Sequence, residues 1–495
     1  AYLDLIGRLA ADRQIELLLA GYYEPVLVAL SHADRIEQVA WMKDALHRRF
    51  GVEATGLWLT ERVWEPDLAA DLVDAGVRYV LVDDRHFLVS GFERRQLDAP
   101  FWTEHDGKRL AVFPIDERLR YLVPFRPPQD TVAYLRELRA AGHQLAVLAD
   151  DGEKFGGWPG TREWVFERRW LHDFFVAMRE LVDHGELRLT TPAAALDEVA
   201  SGGLAYLPTA SYREMEGWAL PADAAGRLTH LERELGTERL AVPDGALVRG
   251  GHWRHFFVKY PEANRMHKKM QALSALCRRR GDPGTARRAI GRAQCNDAYW
   301  HGVFGGLYLK HLREAVWRNL ALAEEELRRH EGLVYERLDL DGDGHDEIWV
   351  HSAAFSAVVS PARGGVIEEY TVFATGRNYA DVLTRRWEAY HAADAASLES
   401  AAAGGGAPSI HELERRIQVT QPPATDRDNR ALFVDRVLAG DLSFDAYLRG
   451  EYHPVRSWAR VRFPAEASVS PGAIEITLHP RSGGGAGLTE KRITF

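Results

Sequence analysis

Between residue 15 and about 192 the chain repeats one pattern: short runs of Val, Leu and Ile without polar alternation, each followed by a segment of helical character. The runs are IELLLAGYYEP, GLWLTERVWEP, YVLVDDRHF, LAVFPIDERL, QLAVLADDGEKF and LRLTTP. A strand that is apolar on both faces must be covered on both sides, as in a parallel sheet flanked by helices. Segments such as 67–75 and 130–141 supply the crossovers. The expected fold class is therefore α/β. Charged and aromatic residues gather at the C-terminal end of each run: Tyr22, Tyr23 and Glu24, then Glu61, Asp83 and Asp84, Asp116, and Asp150 and Asp151. Parallel α/β barrels assemble their chemistry from several such strand ends, so a site is expected there.

Beyond residue 201 the pattern changes. PEANRMHKKMQALSALCRRR and YLKHLREAVWRNLALAEEELRRH carry apolar residues at helical spacing, among them Leu309, Leu312, Val316 and Leu320. From 331 onward, short alternating runs separated by glycine turns read as antiparallel β structure. The expected divisions are an α/β domain over 1–201, a helical domain over 202–330, and an antiparallel β domain over 331–495. The tract 392–410 is poor in large apolar residues and reads as a flexible insertion. A chain of 495 residues with 46% hydrophobic content and 14 Trp has enough apolar surface for three cores.

A net charge of −10 and a pI of about 6.1 leave no basic excess, so neither nucleic acid nor an anionic membrane is an expected partner. No run approaches the roughly 18 apolar residues of a membrane helix, and no signal peptide is legible at the start. Two cysteines, Cys277 and Cys295, point to reduced thiols in the cytoplasm. A homodimer is left open.

Glycosidic bond cleavage needs two carboxylates from different strand ends: one attacks or stabilises the sugar cation, the other protonates the leaving oxygen. Glu61 and Asp151 are the leading pair. Trp58, Trp64, Tyr22, Tyr23, Trp158 and Trp300 offer flat faces for sugar rings. Arg62, beside Glu61, favours its ionised form, as a nucleophile requires, and the two carboxylates need environments that push their pKa values apart. Asp83 is an auxiliary sugar contact or a cap of the segment that follows. The bland alternative for each strand-end carboxylate is a helix cap or an ion-pair partner.

The ordered set GYYEPVL, WLTERVWEP, VLADDGEKFGGWPGT and AQCNDAYWHGVFGGLYL resembles glycoside hydrolase family 57, in its 4-α-glucanotransferase and α-amylase branch. The likeness extends through RGGHWRHFFVKYPEANRMHKKM and LTRRWEAYH, nearly the whole chain. It implies an incomplete (β/α)7 TIM-like barrel followed by a helical domain and a C-terminal antiparallel β-sandwich. It also implies a retaining mechanism with Glu61 as nucleophile and Asp151 as general acid/base, Trp300 and His301 closing over the sugar, and Glu24 near the substrate. The family's first motif, a His-Gln-Pro strand end, has no counterpart, so the chain reads as truncated before its first barrel strand, and the activity is expected of the complete protein. The expected substrate is an α-1,4-glucan or maltooligosaccharide, transferred to a sugar hydroxyl. Hydrolysis by an α-amylase and glucan binding without catalysis are the alternatives.

Two stretches stand outside that site. DLDGDGHDE places Asp339, Asp341, Asp343 and Glu347 as oxygen ligands for a structural calcium, with a solvated turn as the alternative. It is not an EF-hand, because its twelfth position is Val350. RMHKKM, at 265–270, reads as the wet face of a helix.

Overall fold

The computed structural model describes residues 1–392, 424–480, 488 and 490–495. The chain divides into two compact units, Ala1–His255 with Ala389–Thr420, and Phe256–Glu388 with Gln421–Phe495. The tract 392–410 lies, after its first residue, outside the described residues.

The first unit is built on a mixed sheet ordered β1-β2-β4-β3, with β1 at Gly56–Trp58, β2 at Tyr79–Asp83, β3 at Phe101–His105 and β4 at Lys108–Ile115. β1, β2 and β4 are parallel, and every residue of β2 is buried, as an apolar run without alternation requires. β3 is antiparallel to β4 and was not expected from the sequence. Its hairpin turns on Asp106 and Gly107, both at positive φ (52° and 73°), the geometry that matches the twist of paired strands.

The run around residue 19 joins the sheet at one point, Leu19 beside Leu57, with Leu19 N donating to Gly56 O and Trp58 N to Leu19 O at 2.8 and 2.9 Å. The runs at 144–155 and 187–192, read as strands, form no ladder. Asp116 N donates to Val147 O at 2.9 Å, and Leu145, Val147 and Ala149 still pack on the sheet core of Tyr79, Leu81, Ala111, Phe113 and Ile115. The two-residue period of the side chains is thus kept without the backbone pairing. At Gly56 a Cβ would stand 2.0 Å from the Tyr79 ring, so only glycine lets β1 pass there.

Helix His32–Phe50 starts at Ser31, whose Oγ accepts from Asp34 N, and stops at Gly51 in the left-handed region. The α/β class expected from the runs is present; the sheet is shorter than the runs implied.

In the second unit, helices Pro261–Arg279, Gly284–Ala293 and Lys310–Arg328 precede a five-stranded antiparallel sheet of β5 (Val334–Leu338), β6 (Glu347–His351), β7 (Phe355–Ser360), β8 (Val366–Val372) and β9 (Arg377–Asn378). A second antiparallel sheet, Ala465–Ser470, Ala473–Leu478 and Lys491–Thr494, shares an apolar core with it through Ile348, Val350, Val359, Ile474, Ile476 and Leu478. The RMHKKM segment is not a wet face, because Met266, His267, Lys269 and Met270 are all buried. Lys269 reaches Glu324 at 2.8 Å, Glu369 at 2.9 Å and the Trp349 ring at 4.2 Å, so the charge is neutralised inside the unit rather than solvated.

Candidate active site

β1 ends in a tight turn at Thr60–Arg62 in which Glu61 and Arg62 both have positive φ, 54° and 48°. Glu24 does too, at 51°. For non-glycine residues this geometry costs on the order of 1–3 kcal/mol each and persists only where the surroundings over-determine it. Here they do. Ser211 Oγ donates to Glu61 O at 2.8 Å, and Tyr212 Oη donates to Glu61 Oε2 at 2.7 Å. His86 Nε2 meets Arg62 O at 2.9 Å, and Arg62 Nε donates to Asp83 Oδ2 at 3.0 Å.

A chain of alternating charge runs inward from that turn. Arg62 binds Asp83 and stacks over Tyr212 at 4.7 Å and Trp58 at 5.5 Å. Asp83 takes Arg120 on its other oxygen at 2.8 Å, and Arg120 continues to Asp150 at 3.2 Å. Lys154 closes the row on Asp150 and donates to Arg120 O at 3.1 Å. Burial pushes the Asp83 carboxyl up, yet Arg120 and Arg62 outweigh it and hold it at about 2. Burial lowers Lys154, Asp150 opposes and Arg120 adds, leaving it at about 8. Tyr212 is raised well above the usual phenol range by burial and by Glu61, so it is the donor in its bond to the carboxylate.

Two carboxylates at the ends of this row keep access to solvent. Glu61 is half-buried. The Asp151 side chain is 36% exposed, with Oδ1 3.9 Å from an Arg62 nitrogen. Asp151 N donates to Asp150 Oδ1 at 2.9 Å, so the buried aspartate orients the backbone of the accessible one. The interior members hold the arginines and the lysine.

Several expected site residues are placed differently. Asp83, expected to touch a sugar, has both oxygens engaged by arginines and acts on Arg62 instead. Trp64 is fully buried with Nε1 on Leu207 O at 3.3 Å, so it presents no face to a ligand. Trp158 is buried and stacked on Phe125. Trp58 and Tyr23 are half-buried, and Glu24 and Tyr22 are exposed.

Trp300 and His301 belong to the second unit. Trp300 Nε1 donates to Asn296 Oδ1 at 2.7 Å. His301 sits among the rings of Phe256, Tyr260 and Tyr308, and burial, with Lys259 adding and Glu388 opposing, lowers it to about 4.

Sequence reasoning missed Arg120, His86, Lys154 and Tyr212. Lys154 lies inside the DDGEKF stretch and His86 inside YVLVDDRHF; Arg120 and Tyr212 carry no local signal.

In the second unit, Asp339, Asp341 and Glu347 offer oxygens within 4.8 Å of one another. Asp343, expected as a fourth ligand, is exposed and accepts from His345 N at 2.8 Å. Asp339 organises the loop by accepting from Gly342 N, Asp343 N and Gly344 N at 2.8 to 3.0 Å.

The model of glycosyl hydrolase family 57 matches residues 1–208. Models of the middle and C-terminal domains of alpha-amylase/4-alpha-glucanotransferase match 251–327 and 339–494. The chain is 44% identical over 455 residues to a 4-alpha-glucanotransferase of Thermococcus litoralis, covering 91% of this chain and 67% of that protein. It is 43% identical to an alpha-amylase of Pyrococcus abyssi, covering 91% and 68%. The crystal structure of 4-alpha-glucanotransferase from Thermococcus litoralis superimposes with a TM-score of 0.84 at 40% identity, over all of this chain and 72% of that one.

Proposed function

This chain belongs to glycosyl hydrolase family 57, and we propose that it is the catalytic part of a retaining 4-α-glucanotransferase acting on α-1,4-glucans. One observation carries the reading: two solvent-accessible carboxylates from distant segments, Glu61 and Asp151, act on the same guanidinium, that of Arg62. Glu61 attacks the anomeric carbon while Asp151 gives its proton to the departing glycosidic oxygen, which leaves a covalent glycosyl-enzyme. Asp151, now ionised, takes the proton of the incoming acceptor, and the ester to Glu61 breaks. Buried Asp83 and Asp150 hold the arginines and Lys154 still, so the reacting pair meets a fixed field.

The acceptor decides the outcome. A sugar 4-hydroxyl gives transfer and water gives hydrolysis by the same two residues. The likeness to proteins named 4-alpha-glucanotransferase supports transfer, and the Pyrococcus abyssi relative supports an α-amylase as the second reading. The presence of two cysteines in a chain of this length supports a cytoplasmic setting.

Incubation with maltooligosaccharides is the test. Transfer yields a ladder of longer and shorter chains at constant reducing ends, whereas hydrolysis raises reducing ends. Glu61→Gln abolishes turnover, and azide restores cleavage to Glu61→Gly with inversion at the anomeric carbon. If neither the parent nor Glu61→Gln forms products and both bind glucan equally, glucan binding without catalysis replaces this reading; if Glu61→Gln still turns substrate over like the parent, Glu61 is not the nucleophile.

A further inference from the structure

Away from the carboxylate pair, the second unit holds a buried carboxylate oxygen that nothing satisfies. Glu368 lies on β8 with its side chain 1% exposed. Its Oε1 is held by Arg363 and by Arg265, the latter at 3.5 Å, while Oε2 is buried without a hydrogen-bond partner. Leaving a buried charged oxygen unmatched costs several kcal/mol in an apolar interior. The same small cavity is lined by Asp341 from the β5–β6 loop and by Glu347 at the start of β6. Glu347 is itself buried, with Ser360 Oγ on one oxygen at 3.3 Å and Leu340 N on the other at 3.1 Å. Four carboxylates therefore line one hollow, of which Glu369 is already paired with Lys269, leaving Asp341, Glu347 and Glu368 from three segments. Arg363, on Glu368 Oε1, and Arg265, which lines the same hollow, balance part of that charge.

We propose that Asp341, Glu347 and Glu368, with Asp339 at the mouth, hold one calcium-sized divalent cation, and that Glu368 rather than Asp343 completes the ligand set. The donors are all oxygens, with neither histidine nor cysteine in the group, which suits a hard cation. They come from an irregular loop and two strand positions rather than an octahedral frame, which suits calcium over magnesium. The consequence is mechanical: the ion ties the loop to β6 and β8 within one sheet. Its role is independent of the glucan reading, because no residue of this cluster belongs to the Glu61 and Asp151 row.

Terbium titration of the 495-residue chain tests the site, read as luminescence excited through Trp317, which lines the cavity. The expected result is saturable binding of one ion, displaced by calcium, with affinity reduced roughly tenfold or more in Glu368→Gln and within about twofold of the parent in Asp343→Asn. Calcium should raise the melting temperature of the parent and of Asp343→Asn, and leave that of Glu368→Gln unmoved. Should Glu368→Gln fail to fold in EDTA, Asp341→Asn carries the same expectation. No calcium binding up to about 1 mM, the weakest range of protein calcium sites, overturns the proposal. So does equal affinity in Glu368→Gln and the parent, or an equal loss in Asp343→Asn.

Discussion

Replacing Asp83 by Asn tests the idea that this buried aspartate serves its neighbours rather than a ligand. The carboxylate sits 3.0 Å from Arg62 and 2.8 Å from Arg120, and its pKa is held at about 2 against an ordinary 3.8. That depression corresponds to roughly 2.5 kcal/mol of folding stability at neutral pH, at about 1.4 kcal/mol per pH unit. Removing one partner of a buried charge cluster costs about 3–5 kcal/mol, so the linkage figure is the floor of the expected loss. For a unit of this size, ~2.5 kcal/mol lowers the melting temperature by roughly 5–10 °C. The sign follows from the direction of the shift. A carboxyl with a depressed folded-state pKa stabilises fully above its unfolded value and loses that contribution as pH falls toward 2. Thermal melts of both proteins from pH 7 downward should therefore show a gap that is constant to about pH 5 and narrows between 4 and 2. A gap below about 1 kcal/mol at pH 7, the size of an exposed ion pair, refutes the argument. So does one that does not shrink in acid.

Three further outcomes follow from the same geometry. Tyr212→Phe removes the 2.7 Å hydrogen bond to Glu61 but keeps the ring under Arg62; a charge-assisted bond of about 1.5–3 kcal/mol predicts a roughly ten- to hundredfold drop in kcat/KM on maltooligosaccharides. Activity should fall as pH rises through about 8, where Lys154 loses its proton and Asp150 its cation; Lys154→Arg, which stays charged, moves that alkaline limb upward in a pH–rate profile. Lys269→Ala strands Glu369 and weakens Glu324 inside the second unit, and denaturant unfolding followed by tryptophan fluorescence should show a loss of about 3–5 kcal/mol.

Much of the first unit was legible in the chain because apolar runs report burial on both faces. The 144–155 run shows the limit of that signal. Its alternate residues pack on the sheet core, so the pattern was real, but backbone pairing depends on a neighbour at the right height, which no local pattern encodes. Glu61 and Asp151 were singled out by their place at the ends of apolar runs together with the motifs around them, since a strand-end carboxylate taken alone serves equally as a cap or an ion-pair partner. Trp64 was misjudged for a related reason: a ring at a strand end can face either way, and here it turns inward to Leu207. Lys269 looked solvated because its partners, Glu324 and Glu369, lie on other elements. Tyr212 and Arg120 left no local trace, since each matters only through a side chain far away in sequence.

The sequence alone settled which residue types stand at the ends of the buried runs, since hydrophobic periodicity is a property of neighbours along the chain. Tertiary structure decided which carboxylates are enclosed and which reach solvent: Asp83 and Asp150 are shut in by Arg62, Arg120 and Lys154, while Glu61, held by Tyr212, and Asp151, beside Arg62, stay partly accessible. The physical reason is that charge state and access depend on distances across space, and the groups setting them here are brought together only by folding.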